Sequence, residues 1–200
     1  MSLYLLKPRF QALLRPGVAW LHRVGVTANQ VTLAACVVSV VLGVALFALP
    51  LPRAAFALLP LWLLLRMALN AVDGMLAREF GQASKLGALL NEVTDVVADA
   101  MLYLPFALIA PLQPLWVGAV IVLAGLSEFA GVLAQTIGAS RRYDGPLGKS
   151  DRALVFGVLG LWVALTPALP MAAQWLMPVL AALIAWTVAR RLRRALAEAA

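Results

Sequence analysis

Long apolar stretches, separated by short polar or proline-marked turns, run from end to end of the chain. Six can be drawn, at about 29–49, 54–78, 87–110, 113–138, 152–168 and 171–189. A helix rises about 1.5 Å per residue, so each is long enough to cross roughly 30 Å of hydrocarbon. Pro50, Pro52, Pro111 and Pro114 punctuate the turns, and Pro167 and Pro170 end the fifth and shortest segment. The pattern predicts an all-α integral membrane protein with six transmembrane helices. At 64% hydrophobic and 12% charged residues, the composition excludes a soluble core. The whole length, 1–200, reads as one membrane domain: a segment 1–26, a six-helix bundle 27–190 and a basic tail 190–200.

The first segment differs in kind. Residues 3–23 mix Leu, Phe and Trp with basic groups, which predicts an N-terminal interfacial amphipathic helix, drawn as a pair broken near Pro16. It lacks the layout of a cleavable signal peptide. Of the 16 Lys and Arg residues, all but Arg53 and Arg66 fall before the first span, after the sixth, or in the turns following the second and fourth. By the positive-inside rule both termini are cytoplasmic, and the compact size suggests a bacterial inner membrane. This placement explains the net charge of +7 without nucleic acid as a partner; the partner is the lipid bilayer. Cys36 stands alone and forms no internal disulfide.

Polar positions inside two of the spans change the picture. An Asp at mid-bilayer costs about 2.5–3.5 kcal/mol on insertion scales, so a cluster of them is holding something polar. Arg66, Asn70, Asp73 and Ala77 share one face of the second span; Gly87, Asn91, Asp95 and Asp99 share a face of the third. A short loop, 79–86, makes these spans antiparallel neighbours, so two carboxylates and two amides converge near the cytoplasmic surface. Such oxygen sets suit Mg²⁺, Mn²⁺ or Ca²⁺. Small residues beside them, Gly74, Ala77 and Gly87, allow close approach of a helix or a ligand. The cluster is confined to one third of the membrane depth, which disfavours a channel or transporter. His22 is the only histidine, so hydrolase triads find no support.

These residues resemble a known pattern. The CDP-alcohol phosphatidyltransferases carry D-x2-D-G-x2-A-R-x8-G-x3-D-x3-D. This chain has Asn70, Asp73, Gly74, Ala77, Arg78, Gly87, Asn91 and Asp95 with every spacing kept. Asn29 and Thr32, at the mouth of the first span, are similar to that family's P-N-x-x-T segment, with Ala28 for Pro. The resemblance implies a phospholipid-biosynthesis transferase that moves a phosphatidyl-type group from a CDP-lipid, usually CDP-diacylglycerol, to an alcohol, releasing CMP. It implies one or two Mg²⁺ or Mn²⁺ ions at Asn70, Asp73, Asn91 and Asp95, with Asp95 also the base. Asn29, Thr32, Asp73, Gly74, Ala77, Arg78 and Gly87 then lie on the nucleotide side. The family tends to dimerise, so a homodimer is an expected state.

The chain departs from the pattern where Asn70 and Asn91 replace the first and third acids. Each keeps an oxygen and loses a charge. One metal can remain with Asp73, Asp95 and the substrate phosphates, or Asp99 or Glu92 can supply the missing charge. The alternative is an impaired member that binds CDP-lipid or nucleotide as a regulator or subunit. Arg66 either pairs with an acid such as Asp99 or holds an acceptor group, and Glu128 is open in the same way. In related enzymes the region of residues 141–152 lines the acceptor pocket. Here Arg141, Arg142, Lys149 and Arg152 suit a phosphorylated or acidic alcohol, beside a helix start capped by Ser150 or Asp151.

Overall fold

The computed structural model describes residues 7–200, so the first residues of the interfacial segment lie outside the described range. Among the described residues every long element is a helix: α1 (Lys7–Arg23), α2 (Ala28–Ala48), α3 (Leu58–Glu79), α4 (Lys85–Tyr103), α5 (Pro114–Leu133), α6 (Lys149–Leu165) and α7 (Leu176–Ala199). Their starts follow local chemistry. Thr27 and Gln30 form a capping box at α2, each side chain bonding the other's backbone N–H. Ser84 accepts from the Gly87 N–H at α4. Pro114 opens α5, where its missing N–H costs nothing.

Three boundaries differ from expectation. Pro16 does not break α1, which continues from Lys7 to Arg23. Val18 is fully buried against Val31, Val72 and Leu76 of α2 and α3, and this packing holds the helix across the missing hydrogen bond. α6 starts at Lys149, with Gly148 as its cap; Asp151 acts from inside the first turn by accepting the Gly148 N–H at 3.0 Å. The basic run after residue 189 is no free tail. α7 carries it to Ala199 because Arg191 turns back into the bundle, 2% exposed.

Four of these stretches are long and apolar enough to cross a membrane: Ala28–Ala48, Arg53–Glu79, Pro114–Ile137 and Met171–Ala199. α4 and α6 fall outside that group for different reasons. α4 carries Lys85, Glu92, Asp95 and Asp99 in 19 residues, and α6 has only 17. Both nonetheless present Leu and Val outward, at Leu89, Val93, Leu154 and Val158. The protein is a helical membrane protein with apolar side chains on its outside as well as its inside.

α2 packs on α3 and α4, α3 on α6, and α5 on α4 and α7, while α1 lies on α3. The apolar core is centred on Tyr103, Phe106 and Phe156, with the Tyr103 and Phe156 rings stacked at 3.7 Å. Gly43 sets the α2–α4 distance, because a Cβ there would run into the Met101 carbonyl. This approach brings the polar faces of α2, α3 and α4 together at one end of the bundle.

Candidate functional site

The start of α2, the last turns of α3 and the first turns of α4 enclose a cavity of about 350 Å³. Asn29, Thr32, Asn70, Asp73, Gly74, Ala77, Arg78, Gly87 and Asn91 all line it. Residues more than 40 positions apart in the chain thus meet at one place. Asp73 is 6% exposed, and its Oδ2 accepts a 2.7 Å hydrogen bond from Thr32 Oγ1, which lies 3.1 Å from the Ala28 carbonyl. A carboxylate inside a membrane helix needs such a donor. The glycines serve as space: a Cβ on Gly87 would sit 2.7 Å from Asn29 Oδ1, and one on Gly74 would sit 2.8 Å from the Arg78 guanidinium. Glycine therefore lets an amide and a guanidinium occupy the wall of the cavity.

Gln82 and Tyr143 line the same cavity and were not marked by the sequence. Gln82 Oε1 accepts the Ala28 N–H at 2.7 Å and so ties the α3–α4 loop to the start of α2. Both residues lie outside the helices, where periodicity carries no signal.

Asp95 sits beside this cavity rather than on its wall. Its carboxylate pairs with Arg66 Nη2 at 3.1 Å and with Lys149 Nζ. Asp99, weighed above as an added metal ligand, is instead locked between Arg66 Nη1 at 2.5 Å and Arg152 Nη2 at 3.1 Å, and is 4% exposed. Both its oxygens are held by buried guanidiniums, whereas one of the two partners of Asp95 is the partly exposed Lys149 ammonium. Glu92, the other candidate for the missing charge, is held by Arg141. Glu128 bonds Arg152 at 2.9 Å and lies 3.5 Å from Arg191.

Among the described residues no three His, Cys, Asp or Glu side chains gather as a metal cluster. What remains is a mixed oxygen set of Asp73 and Asp95, with Asn70 and Asn91 as amides. The half-buried Asn70 amide has its Nδ2 without a hydrogen-bond partner; that N–H group suits an acceptor such as a phosphate oxygen, while only Oδ1 could face a cation. Mg²⁺ is commonly held by one or two carboxylates together with substrate phosphates and water. Donors of this chemistry suit a divalent cation completed by substrate phosphates.

A family model described as CDP-alcohol phosphatidyltransferase matches residues 25–188. The chain belongs to this family. It is accordingly a membrane transferase that moves a phosphatidyl-type group from a CDP-lipid to an alcohol and depends on a divalent metal. The chain is also 47% identical to inner membrane protein YnbA of Escherichia coli K12 over 196 residues, 98% of this chain and 97% of that protein. Two crystal structures of Mycobacterium tuberculosis phosphatidylinositol phosphate synthase share the family's fold. Each has a TM-score of 0.73 at 22% identity and covers 90% of this chain; the matches cover 87% and 92% of those chains. The first holds manganese and citrate, the second CDP-DAG.

Proposed function

We propose that the cavity between α2, α3 and α4 binds the cytidine diphosphate part of CDP-diacylglycerol, and that Asp95 is the base of the transfer. The observation carrying this reading is the convergence of Asn29, Thr32, Asp73, Arg78 and Gly87 on one cavity at one end of the bundle. Arg78 makes no ion pair among the described residues, so its charge is available to a phosphate. The start of α2 adds the positive end of a helix dipole.

Asp73 and Asp95, with Asn70 and Asn91 as neutral donors, would hold a single Mg²⁺ or Mn²⁺. That ion supplies charge neutralisation at the diphosphate as CMP departs. Thr32 keeps the Asp73 carboxylate oriented. Arg66, fixed by Asp99, holds the Asp95 carboxylate in place beside the cavity. Asp95 accepts the proton of the acceptor hydroxyl. The oxygen then bonds to the lipid-side phosphorus, and the bond from that phosphorus to the oxygen of CMP breaks.

Purified protein in detergent should release CMP from CDP-diacylglycerol with an alcohol and Mn²⁺. It should stop on chelation and lose at least a hundredfold in rate as Asp95→Asn. CDP-diacylglycerol binding without CMP release from any alcohol would favour the regulatory alternative and overturn this assignment.

The proposed topology has six crossings, with α4 and α6 spanning because their charges face inward onto partners. Both termini then lie on the cytoplasmic side of a bacterial inner membrane, with α1 along the interface. Charge placement supports this, as do the outward Leu and Val of α4 and α6. A C-terminal fluorescent-protein fusion should glow, and an alkaline phosphatase fusion at the same point should be inactive; the reverse pair would refute it.

A further inference from the structure

The identity of the second substrate rests on the donor-site reading above, and the side chains on the far side of Asp95 bear on it. By sequence, the basic residues of 141–152 suit a phosphorylated acceptor. In the folded protein each of them already has a carboxylate. Arg141 is forked onto Glu92, with Nη2 at 2.8 Å from Oε2, and lies 3.9 Å from Glu128. Arg142 bonds Asp144 at 2.7 Å and also Glu198. Arg152 spans Asp99 and Glu128, and Lys149 sits on Asp95. Arg78, on the diphosphate side, is the contrast: it has no acidic partner among the described residues.

A second, open cavity of about 340 Å³ is lined by Arg141, Arg142, Tyr143 and Asp144. It adjoins the donor cavity, since Arg141 and Tyr143 line both. Its wall is of mixed sign: guanidinium donors, a carboxylate acceptor and a phenol whose ring lies 4.8 Å from the Arg141 guanidinium. Hydroxyl groups both donate and accept, so a polyol can use such a wall without breaking any pair. A phosphate dianion could be bound only by pulling a guanidinium off its carboxylate. For Arg141 that would leave Glu92 without its partner in a half-buried place, which is unfavourable.

We propose that the acceptor is an uncharged polyhydroxy alcohol, and that Glu92 is a selectivity residue that neutralises Arg141 against phosphorylated alcohols. Lys149 fits the same scheme. Once a cation shares Asp95, its ammonium can donate to an alcohol oxygen beside the base.

The test uses the purified full-length protein in detergent with CDP-diacylglycerol and Mn²⁺. CMP release is compared for glycerol and myo-inositol against glycerol 3-phosphate and inositol 1-phosphate at equal concentrations. The uncharged alcohols should have kcat/KM at least tenfold higher. Glu92→Gln, which frees Arg141, should shift that ratio at least tenfold toward the phosphorylated pair; the wild-type comparison stands if this variant does not fold. Preference for either phosphorylated alcohol in the wild type overturns the proposal. So does the absence of CMP release from both uncharged alcohols when a thermal shift shows the donor bound. A protein that binds no CDP-diacylglycerol overturns the donor-site reading, and the acceptor assignment with it.

Discussion

Thr32 and Lys149 contribute to the site in opposite ways, and each has a separable readout. Thr32 Oγ1 is the side-chain donor to a buried carboxylate. Thr32→Val keeps the shape and removes the donor, which should cost about 1–3 kcal/mol of stability for the unsatisfied group. Thermal unfolding in detergent measures this, and CMP release should fall about tenfold as Asp73 loses its orientation, a change of about 1.4 kcal/mol. Lys149 places a positive charge on Asp95, where a dication would also bind. Lys149→Met should therefore tighten Mn²⁺ binding about tenfold by removing a like charge a few ångströms away. Electron paramagnetic resonance of Mn²⁺ titrated into the purified protein reads this without reference to turnover; unchanged affinity would show that the ammonium does not compete. The motif residues around these two were legible in the sequence because their spacing is local. The Lys149–Asp95 pair was not, since it joins residues on α4 and α6 with no spacing rule between them.

At the scale of elements, the segment between α5 and α6 is held by charge. Asp144 pairs with Arg142 at 2.7 Å and Arg194 at 2.6 Å, and its backbone carbonyl accepts from Arg191. Burial pushes the Asp144 carboxyl up, but the hydrogen bond and charge of Arg142, with those of Arg194, outweigh it and hold the group below the usual aspartate range. A depressed folded value means stability that is fully present above the unfolded pKa and is lost as pH falls through the folded one. The docking of this segment on α7 should weaken below about pH 4, where an ordinary aspartate titrates. Asp144→Asn should flatten that acid limb. Hydrogen exchange at residues 139–148 across pH 3–6 checks it; identical profiles for both proteins would refute the assignment. The helix boundaries were mostly readable from the apolar runs and caps. The break expected at Pro16 was overridden by burial of Val18, and burial of Arg191 carries the last helix on through the basic tail; no local pattern contains either.

Across the whole molecule, Arg66, Asp99, Arg152, Glu128 and Arg191 form one buried ionic chain linking α3, α4, α5, α6 and α7. Removing one partner strands the others in a low-dielectric interior. Asp99→Ala should lower stability by about 3–5 kcal/mol, measured by thermal unfolding in detergent. Combining it with Arg152→Met should restore part of that loss, because one stranded charge then disappears. A double variant no more stable than the single would argue against this account. The chain by itself determined the apolar, membrane character and the family motif, since each is written in composition or in fixed spacing along a helix. Only the tertiary structure decided which guanidinium meets which carboxylate, and with it that Asp99 is a strut rather than a ligand and that the basic residues of 141–152 arrive already neutralised. Most such pairs join residues far apart in the chain, as in Arg152–Glu128 at 24 positions and Arg66–Asp99 at 33, and depend on how helices turn toward one another rather than on any local repeat.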